Sequence, residues 1–267
     1  MNPEGLFGGV ALLLYLAGSV AYHAHLFAGS ERARRAAPWL VGAGAVGHTV
    51  AIGAHCLASP NSLFQDPAMP FSLTAYFIAL VQVVADFWRG WTSAGSLSIP
   101  LAFVGLFYAR VRSGGVSVAS APAGPLLSPH VLALLLGFAA FTLAFCLAVI
   151  YLVQSRMLKA KQVRGIFARL PPLESVNTGA HWMATVGFSL LTLGIITGAI
   201  AAPERWGPRW YLDARALTSV VAWGIYAAYL GAIELLGWRG RKTTYFLIVG
   251  FLVISCAFVI SVMSSRS

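Results

Sequence analysis

The sequence predicts an all-α integral membrane protein, a polytopic bundle of about eight transmembrane helices with both termini on the outer (periplasmic) side. Three observations carry this. Of the 267 residues, 58% are hydrophobic and only 10% are charged, where a soluble domain carries about a quarter charged residues. The mean hydropathy is +0.78. The apolar residues also gather in long runs, near the ~20 residues a helix needs to cross a bilayer. No polar stretch is long enough for a soluble domain, so residues 1–267 read as a single membrane-embedded domain.

The runs fall at 6–28, 38–58, 71–88, 94–110, 129–153, 178–202, 216–236 and 243–263. The first follows "MNPEG", which lacks a basic n-region, and no small-residue cleavage site stands out after it. It therefore reads as a retained helix rather than a signal peptide. The fourth is the weakest, being short and holding Pro100. The stretch 111–127, "VRSGGVSVASAPAGPLL", reads as a mobile Gly/Ser/Pro-rich connection.

Orientation follows from the 18 lysines and arginines. With the N-terminus outside, twelve fall on the inner side: Arg32, Arg34, Arg35, Arg89, Arg156, Lys159, Lys161, Arg164, Arg169, Arg239, Arg241 and Lys242. Six fall outside: Arg110, Arg112, Arg205, Arg209, Arg215 and Arg266. The formal charge of +10 thus points to inner loops beside anionic lipid, not to nucleic acid. Cys56, Cys146 and Cys256 form no CxxC or CxxCH. That argues against a redox dithiol and a covalent haem-attachment site in this chain, and leaves the cysteines as small apolar residues.

Small residues recur at helical spacing at Ala43, Gly47 and Ala51, and at Gly187, Gly194 and Gly198. They predict close helix packing in lipid. A titratable group in the membrane is costly and marks a candidate site. His23, His25 and His181 lie near helix ends and read as interfacial. His48 falls mid-helix, where a neutral imidazole needs a hydrogen-bond partner or a metal. His55 lies seven residues on, nearly on the same face and about 10 Å further along the axis. His130 begins the fifth run on the same outer side as His55.

The segment "APERWGPRWYLDARA", 202–216, joins the sixth and seventh runs on that side. Trp206 and Trp210 are four apart and would share a face on a helical turn. The segment admits two readings: an aromatic interfacial loop, or a platform for a flat aromatic ligand. Haem is such a ligand, needing axial histidines, apolar walls and charged partners for its propionates. Arg205, Arg209 and Arg215 would suit the last role.

The run from Leu170 to Phe251 contains, in order, "LLTLGIITGAIAA", "WGPRWYLD", "WGIYAAYL" and "GWRGR". It resembles the cytochrome c assembly family, whose members include the CcsA, ResC and HemX types and show a WGxxWxWD loop between helices of this kind. "SPHVLALLLGF" is similar to the preceding family helix, and "GHTVAIGAHC" with 61–64 more loosely resembles the early helices of HemX-type members. The departures are Leu212 at the third tryptophan, Ala214-Arg215-Ala216 after the aspartate, and Gly231 where typical CcsA members carry a histidine. The chain's "VMSSRS" also replaces a histidine-bearing "GLHSY"-like stretch.

The resemblance implies a multi-pass protein of the cell (inner, cytoplasmic) membrane that handles haem b for c-type cytochrome maturation at the outer face. It implies His130 as axial ligand, Trp206 and Trp210 as platform, Asp213 at the loop or the haem edge, and the three arginines on propionates. The partner would be an apocytochrome c, whose CxxCH thiols receive the haem vinyl groups, or another assembly subunit. As an enzyme the chain would be a component of a cytochrome c haem lyase or synthase. His55 has the side and depth to replace the missing outer histidine as second ligand to the iron. Two alternatives stand beside this: a non-catalytic HemX-like subunit that scaffolds or regulates a haem-related partner, and a small-molecule transporter with His48 and His55 as its polar track.

Overall fold

In a computed structural model the chain is helical along its described length. The structure describes residues 3–58, 66, 68–112, 127–162, 164–238 and 240–264, without the side chains of 127, 128, 204–206 and 261–264. Most of the 111–127 connection and the 61–64 segment lie outside the described residues. Eight helices among the described residues are long and apolar enough to cross a membrane. They are α1 (Pro3–His23), α2 (Glu31–Ala58), α3 (Met69–Arg89), α4 (Thr92–Arg112), α5 (Leu127–Lys159), α6 (Leu173–Trp206), α7 (Ala214–Glu234) and α8 (Arg241–Ser264). Each falls on one apolar run, α1 and α7 stopping short of its end. Pro100 sits inside α4 without ending it, as transmembrane helices tolerate where neighbouring groups re-satisfy the backbone.

The chain divides into two compact units: residues 1–120 with 153–176, and 121–152 with 177–267. In the first, α1 packs on α2 and α4, and α3 packs on α4 and α2, closing a four-helix ring. The α1–α2 seam depends on small residues. Tyr15 lies against Gly44, where an added Cβ would come within 2.8 Å of its ring, and Ala11, Ala37 and Ala45 are buried. The sequence placed this seam one residue off: Gly47 and Ala51 do face α1, but Ala43 points outward and Gly44 makes the close contact.

α1 does not end as a plain helix. Residues Ala24–Ala28 form a π-helical turn closed by Gly29 at φ +71°. Arg169, in the α5–α6 connection, donates from Nη1 to the carbonyls of Leu26 (2.9 Å) and Phe27 (2.7 Å). It thereby satisfies groups that a helix end leaves open.

The second unit is built around α5. Its Phe141 stacks on Tyr226 of α7 at 3.9 Å between ring centroids, and Phe138 and Phe145 meet Phe251 of α8. α6 meets α7 through Phe188 and Trp223, and the Trp223 indole donates to Thr192 Oγ1 (3.0 Å). The α5–α6 seam runs along the three predicted glycines. Gly187 faces Phe141, Gly194 faces Leu134 and Gly198 faces His130.

Candidate functional site

His130 lies in the first turn of α5, half-buried against α6. Its Nδ1 is 2.7 Å from the Gly194 carbonyl oxygen. A carbonyl only accepts, so Nδ1 carries the hydrogen and the neutral ring keeps its lone pair on Nε2. Among the described residues, no hydrogen-bond partner meets Nε2. The ring can lie on α6 because Gly198 has no side chain: a Cβ there would fall 2.6 Å from Cε1 and 2.9 Å from Nδ1. A ligating histidine characteristically donates its other ring nitrogen to a carbonyl or carboxylate, which fixes tautomer and orientation.

α6 continues past Gly198 for eight residues, about 12 Å along its axis, through Pro203 to Trp206. Gly207 then takes φ +76°, a left-handed conformation that ends the helix, and its N–H donates to Pro203 O (3.0 Å). A 3-10 turn, Trp210–Leu212, leads into α7. The backbone is therefore not one continuous helix from Trp206 to Trp210. The two residues belong to separate elements because Gly207 breaks the helical phase between them. Trp210 is half-buried, with Tyr211 edge-on to it at 6.3 Å, while Leu212, in place of the third tryptophan, is exposed. The side chains of Arg205 and Trp206 lie outside the described residues.

Asp213 is the N-cap of α7. Its Oδ1 accepts the backbone N–H of Arg215 at 2.8 Å, and the Arg215 guanidinium donates to Oδ1 and Oδ2, each at 3.0 Å. These hydrogen bonds hold its carboxyl below the ordinary carboxylate range. Arg215 thus meets a carboxylate of its own loop, and Arg209 is exposed.

Three other histidines have polar partners of their own. His48 is fully buried, with Nε2 2.9 Å from Ser72 Oγ and Nδ1 3.3 Å from Tyr15 OH. Both ring nitrogens thus have the hydrogen-bond partners that one of its two sequence readings requires. The ring also lines a cavity of about 40 Å³, together with Ser72, Glu4, Asp66 and Arg110, room for about two or three waters. His55 Nδ1 is 3.0 Å from Glu4 Oε1. It belongs to the first unit and His130 to the second. His181 meets Glu234 at 3.4 Å and Tyr229 OH at 3.4 Å. Among the described residues, no three His, Cys, Asp or Glu side chains gather as a metal site.

One polar centre escaped the sequence reading. Asp86, near the end of α3, accepts from Tyr22 OH and from Gln82 Nε2 (2.9 Å). Gln82 Oε1 in turn accepts from Ser98 Oγ (2.8 Å). Gly95 makes room for the Tyr22 ring, which an added Cβ would approach to 2.6 Å. The signal was present: a lone carboxylate inside the third apolar run, the kind of group that marks a site in lipid.

Fold and site together define a class: a polytopic, all-α membrane protein whose second unit carries an imidazole held against α6 and a tryptophan-bearing connection between α6 and α7. The family is shown directly. The family model described as cytochrome C assembly protein matches residues 59–266, and the chain belongs to that family. Curated relatives include the cytochrome c biogenesis protein CcsA of Parasynechococcus marenigrum (strain WH8102), 36% identical over 91 residues. That of Thermosynechococcus vestitus (strain NIES-2133 / IAM M-273 / BP-1) is 41% identical over 86 residues. These matches cover 34% and 32% of this chain, and only 30% and 27% of the relatives. A solved chain described as Cytochrome c Heme Lyase CcmF shares the fold, with a TM-score of 0.69 at 17% identity. The likeness covers 99% of this chain and 50% of that one.

Proposed function

We propose that the second unit holds haem for delivery during c-type cytochrome maturation, on the outer face of the membrane. The single observation that carries the reading is the His130 imidazole: Nδ1–H anchored on the Gly194 carbonyl and Nε2 left as a donor atom. The donor set fits haem, since one neutral imidazole nitrogen is what an axial position requires. The half-buried Trp210 near the same end of α5 and α6 supplies an apolar wall, with Trp206 assigned beside it by the family resemblance. Bound haem b would supply the vinyl groups that become thioether-linked to an apocytochrome. This chain's own residues bind and orient: His130 sets the axis, the tryptophan loop sets the plane, and the exposed Arg209 would pair with a propionate.

The test is an absorption spectrum of the purified chain, wild type against His130→Ala. A bound-haem Soret band lost in the variant supports the reading. A band unchanged in the variant overturns it.

A second reading is favoured by Gly231 and Leu212, which replace a histidine and a tryptophan typical of the family. On this reading the chain is a non-catalytic membrane subunit that supports a haem-handling partner. Wild-type protein that binds no added ferric protoporphyrin IX, yet co-purifies with an assembly partner, would establish it.

A further inference from the structure

We infer that Gly198 is a positioning residue for haem ligation: its missing side chain lets the His130 ring lie on α6, so that the Gly194 carbonyl holds Nδ1–H and leaves Nε2 as the ligating nitrogen. This rests on the reading of His130 as axial ligand and adds a second requirement to it.

Three glycines of α6 meet α5, and they differ in what they receive. Gly187 receives Phe141 and Gly194 receives Leu134, both apolar. Gly198 receives a histidine, and the contact is as tight: a Cβ would lie 2.6 Å from Cε1, 2.9 Å from Nδ1 and 3.5 Å from Nε2. Real Cβ atoms do not approach this closely, so any side chain at 198 lifts the ring from the helix. The Nδ1–Gly194 bond at 2.7 Å then lengthens or breaks, and the ring is free to carry its proton on either nitrogen. Two consequences separate. Ring orientation is lost, and so is the hydrogen bond that raises the basicity of the ligating nitrogen. A packing role alone predicts neither, because Gly187 serves the same seam without touching a histidine.

The experiment titrates the full chain, purified in detergent, with ferric protoporphyrin IX, following Soret absorption and the electron paramagnetic resonance of the bound iron. Wild type is compared with His130→Ala, Gly198→Ala and Gly187→Ala. Gly198→Ala is expected to weaken binding on the order of tenfold or more and to shift the resonance, with millimolar imidazole restoring the wild-type signal. Gly187→Ala is expected to lower thermal stability while leaving affinity and resonance at wild-type values. If His130→Ala binds as wild type, the axial-ligand reading itself fails. If His130→Ala loses binding but Gly198→Ala binds as wild type, only the positioning role fails. Equal weakening in Gly198→Ala and Gly187→Ala also overturns it, since packing then accounts for both. Should Gly198→Ala not fold, nitrogen-15 NMR of the histidines in haem-free wild type decides. A protonated Nδ1 and bare Nε2 on His130 support the inference, and the opposite tautomer overturns it.

Discussion

Asp213 and Arg215 are joined three times, once through the Arg215 backbone N–H at 2.8 Å and twice through its guanidinium at 3.0 Å. The carboxylate both caps α7 and fixes the cation beside it. Asp213→Ala removes the cap and should cost about 1 kcal/mol. Asp213→Asn keeps a capping oxygen, loses the ion pair and should cost less, since a partly exposed pair contributes about 0–1 kcal/mol. Thermal unfolding in detergent followed by circular dichroism ranks them, and equal losses would contradict the capping role.

The same pair sets a pH dependence. The Asp213 carboxyl is held below its ordinary value, first by the Arg215 guanidinium bonds and then by the backbone N–H. A depressed carboxylate contributes stability that is fully present above the unfolded pKa, about 4, and is lost as pH falls through the lower folded value. Wild type should therefore lose more stability than Asp213→Asn on acidification below about pH 4. Parallel acid profiles for the two proteins would refute the assignment.

Tyr22 and Gln82 are the described donors to Asp86 within α3. Tyr22→Phe leaves one oxygen of that carboxylate without its donor in a half-buried site, at a cost of about 1–3 kcal/mol. Gly95→Ala should do similar damage by pushing the Tyr22 ring away. The double variant should cost less than the sum, because both act on one contact. Additive losses would mean that Gly95 acts elsewhere.

His48 has a hydrogen-bond partner at each ring nitrogen, Tyr15 and Ser72. His48→Ala should destabilise the first unit by leaving both hydroxyls short of a partner, yet leave the haem affinity and spectrum of the chain unchanged. A spectral change in this variant would return His48 to the list of ligands.

We propose, from the charge count, that the tryptophan loop lies outside and the Arg32–Arg35 segment inside. With Cys56, Cys146 and Cys256 replaced, a cysteine at Arg209 should react with a membrane-impermeant maleimide on intact cells, and one at Arg32 only after permeabilisation. The reverse pattern would invert the topology.

Composition and periodicity determined the class of this protein. Eight apolar runs became eight helices because each must satisfy its own backbone in lipid and has the length to span it. The glycines at 187, 194 and 198 announced a close seam for the same local reason: their spacing keeps them on one face. The family motifs were also legible, being contiguous in sequence. What the tertiary structure alone decided concerns partners far apart in the chain. Both nitrogens of His48 are bonded by residues 33 and 24 positions away. Asp86 is met by a tyrosine 64 positions away. The left-handed Gly207 ends α6 between Trp206 and Trp210, so the two belong to separate backbone elements. Most consequential is His130, whose tautomer and direction are set by a carbonyl 64 residues distant and by the missing side chain of Gly198. Side-chain contacts of this kind depend on which helices become neighbours, and no local pattern encodes that.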